Sequence, residues 1–380
     1  MSKKLRAIVI FMVVVMMLCC IPADALTDVT GVAQKDTLKI LAIGNSFSED
    51  ATEYIPIIAK DCGIKNIVVG NMYIGGCTIQ QHAENARGNK AAYKYYKNTS
   101  FSLMSVCPTT QNVSLETALT DEDWDIVTLQ NSSVHSGQES KYKSDLTYMI
   151  DYVKEKCPNA KLGWHMTWAY ETGYTGSAFA TYYKKDEKYM YNSIMRCVKT
   201  YIVPNEKIDF IIPSGTAVQN ARTSYLGDNL TRDGLHLTLD YGRYIVAATW
   251  MKTLGFSLDS LKTMPNRMRK TVLPFIRECV DNSLATPFEV TQSTYWYEPG
   301  TTPPASQPVT EAETVKETES IENITETLTE TINQTQSPET DKINIVPGKN
   351  NTGIMIVIVC GVAALVAVSV ILVIVKKKKK

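Results

Sequence analysis

Serine, histidine and aspartate together can build an acyl-transfer centre, and this 380-residue chain holds them in two short clusters: Gly44-Asn45-Ser46 and Asp233-Gly234-Leu235-His236. Ser46 offers a hydroxyl nucleophile, His236 a general base and Asp233 a carboxylate to orient the base. The spacing of Asp233 and His236 puts both on one side of a single turn, so the carboxylate reaches one imidazole nitrogen and leaves the other facing the serine. Of four histidines, His82, His135, His165 and His236, the last alone has an aspartate at that spacing. Taken singly, each cluster has a plainer reading: a turn-stabilising Asp/His pair, and a serine that caps a helix. Their joint occurrence, serine at a strand end first and histidine ahead of the last core helix, favours catalysis.

Elements able to position these clusters are legible in the hydrophobic pattern. Apolar runs of strand length at Leu38–Ile43, Asn66–Val69, Ile126–Gln130, Leu162–Met166 and Phe210–Pro213 alternate with amphipathic stretches at Ala51–Cys62, Ile79–Tyr96, Lys143–Lys156 and Asp186–Tyr201. That alternation predicts an α/β fold with a mostly parallel, five-stranded sheet and helices on both faces. Thr238 is placed to cap a last core helix that carries Ile245, Ala248 and Trp250 and stops at Gly255. Ligands sit beyond the carboxyl ends of strands in such sheets, and Ser46, Gly75-Gly76, Gln130-Asn131 and His165 all fall there. Glu49 and Asp50 read as complements to the dipole of the first helix.

The ends of the chain carry different signals. Lys3-Lys4-Leu5-Arg6, the apolar stretch to about Ile21 and Ala23-Asp24-Ala25 have the parts of a secretory signal peptide over residues 1–25. Residues 297–352 turn to Thr, Glu, Pro, Ser and Asn, a composition that cannot bury a core and reads as a stalk. A flexible coil of that length spans roughly 40 Å. Residues 353–375 form an uncharged run of membrane-spanning length ahead of Lys376–Lys380, which predicts a single span with a cytoplasmic tail and residues 26–296 outside. Formal net charge is zero, and no basic field on the outer domain argues for nucleic acid. Six cysteines, Cys62, Cys77, Cys107, Cys157, Cys197 and Cys279, lack a framework spacing, so pairing stays open. Glycosylation sequons include Asn98, Asn112, Asn131, Asn229, Asn323 and Asn333. No zinc motif is present, and neither a metal nor another cofactor is expected.

Ile43-Gly44-Asn45-Ser46-Phe47-Ser48, Gly75-Gly76-Cys77, the stretch from Pro213 to Asn220 and Asp233–Leu237 resemble the SGNH/GDSL hydrolase superfamily. The likeness is to a secreted branch with Gly-Asn-Ser in place of Gly-Asp-Ser, and it runs roughly from Leu38 to Leu254. It implies a flavodoxin-like three-layer sandwich, an esterase mechanism, and Ser46, Asp233 and His236 as catalytic residues. It also implies an oxyanion hole built from the backbone N–H groups of Ser46 and Gly76 and a side-chain amide. Where the family pattern offers Gly-x-Asn-Asp after the third strand, this chain reads Gln130-Asn131-Ser132-Ser133, which makes Asn131 the first choice for the amide and Gln130 the second.

Trp164, Trp168, Tyr170 and Tyr174 follow the fourth predicted strand and are candidates for stacking on sugar rings, although core filling is the plainer role for aromatic side chains. The expectation is a cell-surface serine esterase that removes acyl groups, acetyl first among them, from carbohydrate. The alternative is a non-catalytic glycan-binding or adhesion domain on the same scaffold.

Overall fold

Thr37–Gly44 (β1) is apolar on both faces, the pattern of a strand with helices packed on either side of its sheet. The computed structural model describes residue 29 and residues 31–298. After β1 come the strands Asn66–Tyr73 (β2), Tyr93–Asn98 (β3), Thr109–Val113 (β4), Ile126–Leu129 (β5), Lys161–His165 (β6) and Phe210–Ile212 (β7). They form one sheet in the order β4-β3-β2-β1-β5-β6-β7. Neighbours from β2 through β7 pair in parallel, whereas β3 and β4 extend the β2 edge in antiparallel fashion. With those two set aside, the parallel order is the flavodoxin-like one, β1 central with its neighbours on either side.

The sheet therefore has seven strands where five are expected from the hydrophobic pattern. The helix predicted over Ile79–Tyr96 ends at Arg87, because Gly88 caps it and Asn89 turns the backbone to a left-handed φ of 41°. The tyrosines beyond it then enter β3, where Tyr93, Tyr95 and Tyr96 are buried and Lys94 and Lys97 are only partly covered. The outer edge strand β4 is mostly exposed polar sequence, so no apolar signal marks it.

Helices in chain order are Ser46–Thr52 (α1), Ile55–Asp61 (α2), Ile79–Arg87 (α3), Leu115–Leu119 (α4), Ser144–Lys156 (α5), Ser177–Tyr183 (α6), Glu187–Tyr201 (α7), Ser214–Arg222 (α8), Tyr241–Thr253 (α9) and Leu273–Ala285 (α10). The stretch Ala51–Cys62 is thus two helices broken at Glu53-Tyr54, with Pro56 in the first turn of the second. One group packs around α9, which touches α1, α2, α8 and α10; α3, α4 and α5 pack on one another as a second group. Asp240 caps α9, and Thr238 assists by accepting from the Gly242 N–H at 2.9 Å.

All six cysteines of the described domain are free thiols. The chain separates into two units, Met1–Ser306 and Gln307–Lys380. The expected signal peptide, all but the start of the stalk, the apolar run at 353–375, the lysine tail and the sequons at Asn323 and Asn333 lie outside the described residues. Among the described residues no helix is long and apolar enough to cross a membrane.

Candidate active site

The turn that presents Ser46 is built from a glycine and an asparagine. At Gly44 any Cβ would lie 2.6 Å from Ser48 Oγ and 2.9 Å from Gln130 Cδ, so only glycine lets β1 pass that close to its neighbours. Asn45, in an extended conformation, is the N-cap of α1, its Oδ1 accepting from the Phe47 N–H at 3.0 Å. Ser46 is therefore the first residue of α1 and not its cap, which frees its hydroxyl.

Asn45 is itself held from two sides. Its Nδ2 donates to the Cys77 carbonyl at 3.0 Å, and Gln130 Nε2 donates to its Oδ1 at 3.0 Å. Gln130 Oε1 then lies 2.7 Å from His165 Nδ1, and His165 Nε2 lies 3.0 Å from Ser214 Oγ. An amide oxygen only accepts, so Nδ1 of His165 carries the proton and Nε2 accepts from the Ser214 hydroxyl. Burial drives the His165 pKa down to about 3, consistent with this neutral imidazole. The chain of bonds engages Gln130 Oε1 and one of its two Nε2 hydrogens, so Gln130 holds Asn45 and His165 in place.

The second cluster folds as a tight loop closed by a bridge between Thr231 and Leu237. Gly234 stands at φ 88°, where side-chain-bearing residues are strained, and Tyr174 packs against it. Asp233 Oδ1 accepts from the backbone N–H groups of Leu235 at 3.2 Å and His236 at 2.8 Å. Its Oδ2 lies 2.7 Å from His236 Nδ1, and His236 Nε2 lies 2.9 Å from Ser46 Oγ. An ionised carboxylate can only accept, so Nδ1 bears the proton and the Nε2 lone pair faces the serine hydroxyl. Burial pushes the Asp233 carboxyl up, but the hydrogen bonds from His236 and Leu235 and the charge of His236 outweigh it and leave the pKa below its ordinary value.

Asp50, read from sequence as a helix-dipole complement, has a larger part. Its side chain is fully buried and accepts from Arg243 Nε at 2.8 Å, from Arg232 Nη1 at 3.0 Å and from the Leu237 N–H at 2.8 Å. It thereby ties α1, which begins at Ser46, to both flanks of the loop that carries Asp233 and His236. The signal that could have found it is charge placement: an acid one turn after the nucleophile, with arginines bracketing the histidine cluster.

Of the expected oxyanion donors, Gly76 follows β2 at a left-handed φ of 64°. Among the described residues no turn or loop hydrogen bond uses the backbone N–H of Ser46 or of Gly76. Asn131 is 2 % exposed; its Oδ1 accepts from the Ser132 N–H, and its Nδ2 has no partner.

Three of the four aromatic candidates are core, and the fourth, Tyr174, is half-buried against Gly234. Trp164, Trp168 and Tyr170 are 1 %, 0 % and 2 % exposed, which takes them out of reach of a sugar. Trp168 instead stacks on Phe47 with centroids 4.2 Å apart and donates from Nε1 to the Leu235 carbonyl at 2.8 Å, bracing the Ser46 and His236 clusters together. Burial at Asn98 and Asn131 likewise leaves neither sequon open to a glycan in the folded domain. Among the described residues no cluster of His, Cys, Asp and Glu is arranged to hold a metal ion.

Residues 39–270 match the family model described as a domain of unknown function, DUF4886. A crystal structure of a DUF4886 family protein from Bacteroides uniformis is 37 % identical, covering 67 % of this chain and 98 % of that one with a TM-score of 0.63. A putative GDSL-like lipase from Parabacteroides merdae is 15 % identical over 58 % of this chain and 96 % of its own, with a TM-score of 0.38. An acetylxylan esterase from Geobacillus stearothermophilus is 14 % identical over 58 % of this chain and 95 % of its own, also with a TM-score of 0.38. Likenesses as distant as the last two transfer no residue role. No curated protein matches. The match over most of the folded domain, joined to the 37 % identity with a structure of the same family, shows that this chain belongs to the DUF4886 family.

Proposed function

We propose that the domain is a serine esterase that hydrolyses O-acyl esters, acetyl esters of carbohydrate foremost, through Ser46, His236 and Asp233. One observation carries the reading: the continuous line from Asp233 Oδ2 to His236 Nδ1 at 2.7 Å and from His236 Nε2 to Ser46 Oγ at 2.9 Å. Nucleophile and base stand within hydrogen-bond reach, and a third group orients the base.

In the first half-reaction Ser46 Oγ bonds to the ester carbonyl carbon while its proton passes to His236 Nε2, and Asp233 stabilises the imidazolium. The developing oxyanion is taken by the N–H groups of Ser46 and Gly76 and by the unpaired Asn131 amide. When the ester C–O bond breaks, His236 returns the proton to the departing alcohol, which leaves an acyl-serine. Water then loses a proton to His236 as its oxygen bonds to the acyl carbon. The serine departs with that proton and the carboxylic acid is released.

The leader, stalk and apolar run read in the sequence support a domain displayed on the outside of a cell membrane, where polymeric carbohydrate is the accessible ester. Reaction of the full chain with a serine-directed phosphonate tests the catalytic assignment. A single adduct on Ser46, abolished by Ser46→Ala, is expected; no adduct on a folded protein would favour a glycan-binding domain without activity.

A further inference from the structure

Beside the turn that carries Ser46 lies an open cavity of about 90 Å³ whose walls include the first turn of α3, Asn131, His135, Lys141 and Lys143. Its connection to the catalytic residues is short. Thr78, on one wall, follows Cys77, whose carbonyl holds Asn45; Asn131, on another, follows Gln130, whose amide holds the same side chain.

Two lysines and one carboxylate line the cavity, so its formal charge is positive. Lys141 and Lys143 project to it, and neither side chain has an ion pair or hydrogen bond among the described residues. Asp145 also lines it, but Arg87 Nη2 at 2.8 Å already pairs with that carboxylate. Burial first, then the charge of Lys141, hold the His135 pKa below its ordinary value, which leaves His135 a neutral imidazole there. Thr78 Oγ1 caps only the Gln81 N–H of α3, so the positive end of this nine-residue helix faces the cavity with the N–H groups of Ile79 and Gln80 uncapped. Asn131 forms part of the same wall, its amide being the oxyanion donor proposed above.

Resting on the esterase reading, we propose that this cavity binds an anionic substituent of the substrate, a carboxylate or a sulfate ester, so that the preferred substrates are acylated acidic glycans. The acyl carbonyl sits at Ser46 and the anion of the same or the next sugar residue lies against Lys141, Lys143 and the start of α3. Neutral acylated sugars and small esters reach Ser46 but leave the cavity empty.

The test compares the full chain with Lys141→Gln/Lys143→Gln on an O-acetylated glucuronate oligosaccharide, an O-acetylated sulfated oligosaccharide, an O-acetylated neutral xylo-oligosaccharide and p-nitrophenyl acetate. The proposal expects kcat/KM to fall roughly tenfold through KM on one or both acidic substrates, with the other two unchanged. Whichever acidic substrate responds identifies the anion. Equal loss on all four substrates, or loss on none, overturns it. Lys143→Glu, at an exposed position, repeats the test with reversed charge and should deepen the discrimination. If the wild type hydrolyses no ester, the esterase reading has failed, and calorimetric titration with the unacetylated glucuronate and sulfated oligosaccharides judges the cavity alone. Binding of either one that weakens in the double variant upholds the cavity, and no binding of either overturns it.

Discussion

The buried carboxylate of Asp50 and the guanidinium of Arg243 meet at 2.8 Å, and this contact fixes the helix bearing Ser46 against the segment bearing His236. Because the serine and histidine clusters lie far apart in sequence, their 2.9 Å approach is a tertiary product that depends on such a clamp.

Asp50→Asn keeps the shape but removes the buried charge that Arg232 and Arg243 share, leaving Arg243 only Glu53 at 3.6 Å. Breaking a buried pair in this way costs about 3–5 kcal/mol, to be read from urea unfolding. Esterase kcat should fall at least tenfold with KM little changed, since the clamp sets the serine-to-histidine distance and does not touch substrate.

Gln130 and Asn131 are neighbours with opposite expectations. Gln130→Leu strands the Asn45 and His165 groups it now satisfies and should cost about 1–3 kcal/mol of stability. Asn131→Leu strands one group, the Ser132 N–H that the Asn131 Oδ1 accepts from, and should cost about 1 kcal/mol, less than Gln130→Leu. Its kcat should nevertheless fall on the order of a hundredfold, as expected for a lost oxyanion donor.

His82 and His165 are both buried neutral, with pKa values lowered to about 3 by burial. An unfolded chain protonates these imidazoles as pH drops below the ordinary histidine value while the folded one does not. Stability is therefore full above about pH 6.5 and declines as pH falls from there toward 3, by up to about 1.4 kcal/mol per pH unit for each histidine. Urea midpoints measured between pH 7 and pH 5 check this, and His82→Gln should flatten the slope.

Asp233 is held below the usual carboxylate pKa, largely by His236 against the opposing effect of burial. It stays ionised through the working pH range, so it adds no proton of its own to the acid limb of log kcat/KM, whose slope should not exceed one. Asp233→Asn retains the loop contacts but favours the wrong tautomer, and about a 10³- to 10⁴-fold drop in kcat is expected.

The parts of the proposed Ser-His-Asp site were legible because each is local: a serine after an apolar strand and an Asp/His pair within one turn are visible as strings. The parallel strands were legible for the same reason, since strands buried on both faces are continuous apolar runs. Strand β4 was not, because an edge strand such as Thr109–Val113 buries almost nothing and leaves no hydrophobic trace. Trp164, Trp168 and Tyr170 show the complementary limit: composition places aromatics near a strand end but not which face they take, and here they all turn inward. Asp50 and Gln130 escaped because their partners are distant in sequence, and only the fold brings an arginine or a histidine to meet them.

Hydrolysis of p-nitrophenyl acetate by the full chain, measured beside Ser46→Ala at equal folded concentration, tests the central claim most directly. Release of p-nitrophenol by the wild type and its loss to background in the variant is the predicted result. Equal rates in the two proteins, or none in the wild type, would contradict the assignment of Ser46 as the nucleophile of an esterase.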